Sequence, residues 1–221
     1  MRTRIKICGL TRFDDVSAAA EAGADAVGFV FYPPSPRFVA LDAAAELSRR
    51  APPFITLVGL FVNADPRVVR ETLTAVPLHV LQFHGDEDEA YCRQFERPYI
   101  KALRVAPGGD LLARVADFPS AQAILLDAFV ESYGGGGRVF DWSLIPQAIG
   151  KSLILSGGIN AGNVAEAIAR VRPAALDVST GVESGKGVKD ARKIREFVNA
   201  VRVADGGDDG DDGIPSNENP G

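Results

Sequence analysis

Short runs of β-branched and other apolar residues alternate with amphipathic, alanine-rich runs along residues 3–202. The apolar runs are Arg4–Cys8, Ala26–Phe31, Ile55–Phe61, His79–Phe83, Ile100–Arg104, Ala123–Asp127, Ser152–Ser156 and Ala175–Ser179. Each is nearly continuous, the pattern of a parallel strand covered on both faces. Between them lie helical patterns at Asp14–Ala22, Leu41–Arg50, Pro66–Ala75, Glu87–Gln94, Asp110–Ala116, Ser143–Ile149, Asn163–Ala169 and Ala191–Val201. Asp14, Asp42, Asp65-Pro66 and Asn160 stand near the first turns, where capping carboxylates, amides and an N1 proline belong.

Strict alternation of eight strands and eight helices, at about 25 residues per unit, predicts an α/β protein built as a single (β/α)8 TIM barrel. A doubly wound open sheet also alternates, but it often carries phosphate-binding glycines after its first strand. Here that segment reads Cys8-Gly9-Leu10-Thr11, which is no dinucleotide fingerprint. The expected organisation is a barrel domain over 1–203 and a tail over 204–221. The tail is rich in Gly and Asp, and like charge with low hydrophobicity predicts a disordered acidic appendage.

The tail also changes how the charge reads. Its six acids account for the formal net charge of −5, so residues 1–203 carry about +1. A nearly neutral body has no clustered basic face for nucleic acid. The longest apolar stretches, such as Phe54 to Val62, fall far short of the ~20 residues that span a bilayer. The N-terminus leads directly into a strand with no signal-like apolar core, so a cytoplasmic protein is expected. Two Cys and two His form no recognisable zinc spacing, and a Cys8–Cys92 disulfide is disfavoured in that compartment.

In such barrels chemistry sits where the strands end. Ser156-Gly157-Gly158-Ile159-Asn160 closes the seventh strand and Asp177-Val178-Ser179-Thr180-Gly181-Val182-Glu183 the eighth. Glycines let backbone N–H groups approach an anion, and two such loops at these units point to a phosphate. Cys8 ends the first strand, as a buried small residue or as a reactive thiol. Asp127 ends an apolar run, where an unpartnered carboxylate is costly, so it reads as a site residue or as a loop-orienting one. Arg37 follows three prolines in Tyr32-Pro33-Pro34-Ser35-Pro36, either solvated or held ready to grip a carboxylate with its planar fork. His84 reads as a packing or loop hydrogen-bonding residue, and Gly134–Gly137 as a lid or a plain linker.

Taken in order, these motifs resemble phosphoribosylanthranilate isomerases. The resemblance rests on Lys6-Ile7-Cys8-Gly9-Leu10-Thr11, Gly28-Phe29-Val30-Phe31 with Ser35-Pro36-Arg37, Gln82-Phe83-His84-Gly85 and Leu126-Asp127. It continues through Phe140-Asp141-Trp142, Ser156-Gly157-Gly158-Ile159 and Asp177-Val178-Ser179 with Gly181-Val182-Glu183, and so covers residues 4–202. Ala128, Gly136 and Thr180 depart from the family pattern where Thr, Thr and Ser are expected, and none removes a reacting group.

The resemblance implies an Amadori rearrangement in tryptophan biosynthesis, with Asp127 as acid and Cys8 as base. It also implies Arg37 on the anthranilate carboxylate, and Gly157, Gly158, Ser179, Thr180 and Gly181 around the ribose phosphate. It implies no metal or organic cofactor, a small phosphorylated substrate, and a monomer or homodimer. The analogous isomerase of histidine biosynthesis is the nearest alternative, but its pattern has Asp where Cys8 stands and needs a second phosphate site. A silent phosphate-binding protein would be expected to lack Cys8 or Asp127.

Overall fold

The structure, a computed structural model, describes residues 2–106, 108–128, 140–146 and 148–206. Eight strands close a parallel barrel in sequence order: β1 (Arg4–Cys8), β2 (Ala26–Val30), β3 (Thr56–Phe61), β4 (Val80–Phe83), β5 (Tyr99–Val105), β6 (Ala123–Ala128), β7 (Ser152–Leu155) and β8 (Ala175–Val178). β8 returns to β1 with Asp177 beside Lys6 and Val178 beside Ile7. Helices α1 (Phe13–Ala22), α2 (Leu41–Arg50), α3 (Pro66–Ala75), α4 (Glu89–Arg93), α5 (Leu111–Ala116), α6 (Val164–Val171) and α7 (Ala191–Ala204) connect them.

Successive strand residues face opposite sides of the wall, and this sorts the core. Ile5 and Ile7 of β1, Leu81 and Phe83 of β4, Ile124 and Leu126 of β6, and Leu176 and Val178 of β8 pack outward in the layer beneath the helices. α7 answers with Ile194, Phe197, Val198 and Val201, spaced as one buried helix face. Inside the barrel, Ile100, Ala102, Ala123, Leu125 and Ile154 form a separate apolar plug. A third cluster of Cys8, Val30, Leu60 and Val62 lies where the strands end. The inward positions between plug and mouth include polar residues, among them Lys6, Gln82 and Asp177, all buried.

The structure departs from the sequence reading at a few elements. The helix expected at Ser143–Ile149 is a single 3-10 turn, Trp142–Leu144, begun by the Asp141 side chain accepting from the Ser143 N–H. Pro146 explains the shortening, because a proline turns the residue before it away from helical geometry. α4 starts two residues late: Asp88 caps it, while Glu87 is drawn away to Lys101, 2.8 Å distant.

Ala204 and Asp205, expected in the tail, belong to the barrel. α7 runs through Ala204, and Asp205 accepts from the Thr3 N–H and hydroxyl at 2.6 and 2.8 Å, tying the helix end to β1. Gly206 closes the described chain, and residues 207–221 of the tail, with Gly134–Gly137, lie outside the described residues. A short hairpin after β8, β9 (Glu183–Gly185) with β10 (Val188–Lys189), was not legible as strands. No helix among the described residues is long and apolar enough to cross a membrane.

Candidate active site

The strand ends line an open cavity of about 690 Å³, a volume that includes its solvent-filled mouth. Cys8, Arg37, Asp127, Gly157, Gly158, Ser179 and Thr180 all line it, joined by His84 and Asp177. Its wall is divided by chemistry. Val30, Tyr32, Leu60 and Val62 give one side an apolar face suited to an aromatic ring, and Ser156–Ile159 with Ser179 and Thr180 give the other a backbone-rich, hydroxyl-bearing face. Cys8 from β1 and Asp127 from β6 reach the cavity from strands well separated around the barrel.

Cys8 is a free, buried thiol. Burial pushes its pKa above the ordinary thiol value; Lys6 pulls against that shift, Asp177 adds to it, and Lys189 opposes it. Cys92, the second cysteine, belongs to the separate layer beneath the helices, so the disfavoured Cys8–Cys92 disulfide is absent.

The Asp127 carboxylate is fixed at both oxygens. Oδ1 accepts the Ala128 N–H at 2.8 Å, and Oδ2 lies 3.2 Å from His84 Nε2. Gln82, two residues before His84 and so on the same inward face, places its amide nitrogen 3.1 Å from Nδ1. His84 therefore holds the carboxylate and is more than a loop residue. Gly157 makes room for this arrangement: a Cβ there would lie 2.8 Å from Asp127 Oδ1 and 2.7 Å from the Ala128 nitrogen.

Arg37 is buried, against the solvated alternative. Its Nε and Nη2 donate to the two oxygens of Glu183 at 2.7 and 2.8 Å, a bidentate pair that leaves Nη1 outside the grip. Lys189 Nζ also binds Glu183, at 2.8 Å, and donates to the Ser179 carbonyl and hydroxyl. Burial opposes ionisation of Glu183, but Arg37 and Lys189 outweigh it and hold its pKa below the usual carboxylate range. The β9–β10 hairpin thus supplies a carboxylate that aims Arg37 and an ammonium that braces the β8 loop.

The glycine loops divide their work. Gly157 and Gly158 take left-handed backbone, with φ of 82° and 71°, and line the cavity. The side chains of Asn160 and Asn163 both donate to the Gly158 carbonyl, fixing the loop. Gly181 is not on the cavity wall. A Cβ there would come within 2.1 Å of the Ile159 carbonyl oxygen, so its role is to let the β7 and β8 loops touch. Gly181→Ala is accordingly expected to cost about 1–3 kcal/mol of stability, as overpacking does. It should also weaken competition by inorganic phosphate, and thermal melting with phosphate inhibition constants checks both.

Lys189 was not named in the sequence reading, and Lys6, Asp177 and Glu183 stood there only as members of longer motifs, with no role of their own. Lys6 stands two residues before Cys8 inside an apolar run, and that period-two spacing was the available signal. Glu183 meets Arg37 across 146 residues, a pairing that no local pattern contains.

A (β/α)8 barrel with a thiol and a carboxylate facing one cavity, beside paired glycine loops, belongs to the acid–base enzymes that act on phosphorylated small molecules. A family model described as N-(5'phosphoribosyl)anthranilate (PRA) isomerase matches residues 5–200, and the chain belongs to that family. The N-(5'-phosphoribosyl)anthranilate isomerase of Dechloromonas aromatica (strain RCB) is 63% identical over 205 residues, covering 93% of this chain and 99% of the relative. The crystal structure of the Thermotoga maritima phosphoribosyl anthranilate isomerase superposes with a TM-score of 0.83 at 42% identity, covering 91% of this chain and 99% of that one. Another solved phosphoribosyl anthranilate isomerase, in complex with reduced 1-(o-carboxyphenylamino)-1-deoxyribulose 5-phosphate, has a TM-score of 0.80 at 39% identity, with coverage of 91% and 99%.

Proposed function

We propose that this cavity converts N-(5'-phosphoribosyl)anthranilate to 1-(2-carboxyphenylamino)-1-deoxyribulose 5-phosphate in tryptophan biosynthesis, with Asp127 as the acid and Cys8 as the base. The observation that carries the residue roles is their placement. The two groups open from β1 and β6 into one cavity, with an apolar, arginine-bearing side and a glycine-loop side. A substrate with an aromatic carboxylate at one end and a phosphate at the other matches that division.

Asp127 delivers a proton to the furanose ring oxygen, the C1–O bond breaks, and the nitrogen lone pair forms a C1=N iminium. The Cys8 thiolate then takes the C2 proton. The C2–H pair becomes the C1=C2 bond, and the C=N pair returns to nitrogen. Protonation at C1 with loss of the C2 hydroxyl proton completes the aminoketose. The iminium acidifies C2–H, so a thiolate is a sufficient base.

Gln82 lets His84 serve Asp127 in either proton state. With the Gln82 N–H on Nδ1, the ring donates from Nε2 to the ionised carboxylate. With the amide turned over, Nδ1 donates to Gln82 and Nε2 accepts from the neutral acid.

Arg37, oriented by Glu183, offers its remaining N–H groups to the anthranilate carboxylate. Gly157, Gly158, Ser179 and Thr180 receive the phosphate, with Gly181 closing the loops behind them. Every residue of this site comes from one chain, so a monomer or a homodimer would carry complete sites. A cytoplasmic setting suits a small phosphorylated substrate.

The test is conversion of N-(5'-phosphoribosyl)anthranilate by purified protein with no added metal or cofactor, repeated with Arg37→Ala. Loss of one charge-assisted bond should raise KM about 10–100-fold. Lys189 remains to pair Glu183, so the fold should survive. An analogue lacking the anthranilate carboxylate should be nearly indifferent to the change. Equal losses for both substrates would remove Arg37 from carboxylate binding.

A further inference from the structure

Lys6 lies inside the barrel with its side chain 5% exposed, and Nζ is 2.8 Å from Asp177 Oδ1, whose side chain is 6% exposed. The Cys8 sulfur stands two residues along the same inward face, and both it and Lys6 Nζ crowd the same point over Gly28. Gly28, beside Cys8 in the sheet, leaves room for both: a Cβ there would lie 2.9 Å from Sγ and 3.1 Å from Lys6 Nζ. Nothing in the packing requires a charge at this depth, since a buried ion pair is commonly no more stabilising than apolar residues of similar volume.

We propose that Lys6, gripped by Asp177, is the positioning residue of the base: its ammonium fixes the Cys8 sulfur toward the cavity and stabilises the anion that removes the C2 proton. This rests on the reading of Cys8 as the base. When the thiolate takes that proton it becomes a neutral thiol, while Lys6 keeps all three of its own and its charge remains balanced by Asp177. Burial works against the Lys6 charge, but Asp177 and Cys8 outweigh it and hold its pKa above the ordinary lysine value. Lys6 therefore acts as a fixed cation, not as a proton carrier.

The charged groups around the sulfur define the test. Lys6 on β1 and Lys189 on β10 favour the thiolate, Asp177 on β8 opposes it, and Arg37 on the loop after β2 is the further cation that interacts with it. Lys6 and Asp177 form one pair, yet they act on Cys8 with opposite sign. A pair that serves only the fold would leave the pH dependence of kcat unmoved, so the kinetic readout separates the two roles.

The experiment is alkylation of Cys8 by iodoacetamide as a function of pH, in a Cys92→Ala background, with modification followed by intact mass and by loss of turnover. Lys6→Met should move the alkylation midpoint up by about one pH unit or more, and Asp177→Asn should move it down. The kcat of Lys6→Met should fall about tenfold or more near neutral pH and recover at higher pH, with KM little changed.

If Lys6→Met fails to fold because Asp177 is left unpaired, Lys6→Met/Asp177→Leu removes both charges and should still shift the midpoint up, by less. An unmoved midpoint in that double variant, or an upward shift in Asp177→Asn, overturns the proposal. Cys8→Ala tests the underlying reading separately: survival of turnover there would end the role of base, while the alkylation midpoints would still report what Lys6 does to the sulfur.

Discussion

Replacing Cys8 by alanine is expected to lower kcat about 10²–10⁴-fold, the range attributed to loss of a general base. Removing one sulfur from the Val30, Leu60 and Val62 cluster should cost little stability, so the loss will not reflect unfolding. Cys92→Ala is the control. That thiol is buried beneath the helices, with its pKa pushed up to about 12 mainly by burial, and it is not among the residues lining the strand-end cavity. The pH dependence carries the same assignment. Burial raises the Cys8 pKa and the thiolate is the reacting form, so kcat/KM should climb as pH rises through neutrality and fall with the thiolate fraction on the acid side. That acid limb should vanish from the residual activity of Cys8→Ala. Near-normal turnover in the variant, or an unchanged acid limb, would remove Cys8 from the reaction.

The barrel was legible because its signals are local. A buried parallel strand must be an apolar run, and each run here is followed by a helical pattern, so eight units could be read without any tertiary information. The residues that gather around the cavity were legible for the same reason. Cys8, Asp127 and the two glycine loops are anomalies at strand ends, visible as soon as the ends are placed.

The electrostatic scaffold behind them was not legible in the same way. Arg37 reads identically whether solvated or buried, and only the hairpin carrying Glu183 and Lys189 decides between the two. Glu87 read as a helix start because it precedes an amphipathic run, yet its carboxylate takes the Asn63 and Gly85 N–H groups and pairs with Lys101 at 2.8 Å. A buried charge is placed by the partner it finds, and the charged partners of Arg37 and Glu87 lie on other units of the barrel. Lys6 is the intermediate case. Its alternation with Cys8 was present in Arg4–Cys8, but the significance of a lysine there depends on Asp177, which β8 supplies by closing onto β1.

Changing Asp127 to asparagine should produce a fall in kcat of about 10²–10⁴-fold with KM altered only a few-fold, the pattern of an interaction needed in the transition state. Asparagine preserves the contacts that hold the side chain. Its carbonyl can accept the Ala128 N–H now 2.8 Å from Oδ1, and its amide can donate to His84 Nε2, now 3.2 Å from Oδ2. What it cannot do is release a proton to the ring oxygen, so the furanose stays closed while Arg37 and the glycine loops still hold the two ends of the substrate. Melting temperature should therefore change little. A carboxylate with only a structural role would give the reverse result, a lowered melting temperature with kcat largely intact in the folded fraction. His84→Asn gives an intermediate result if His84 only orients the acid: a smaller loss of kcat, still with little change in KM. Full activity in Asp127→Asn would exclude Asp127 as the proton donor, and a donor would then have to be sought among the other groups lining the cavity.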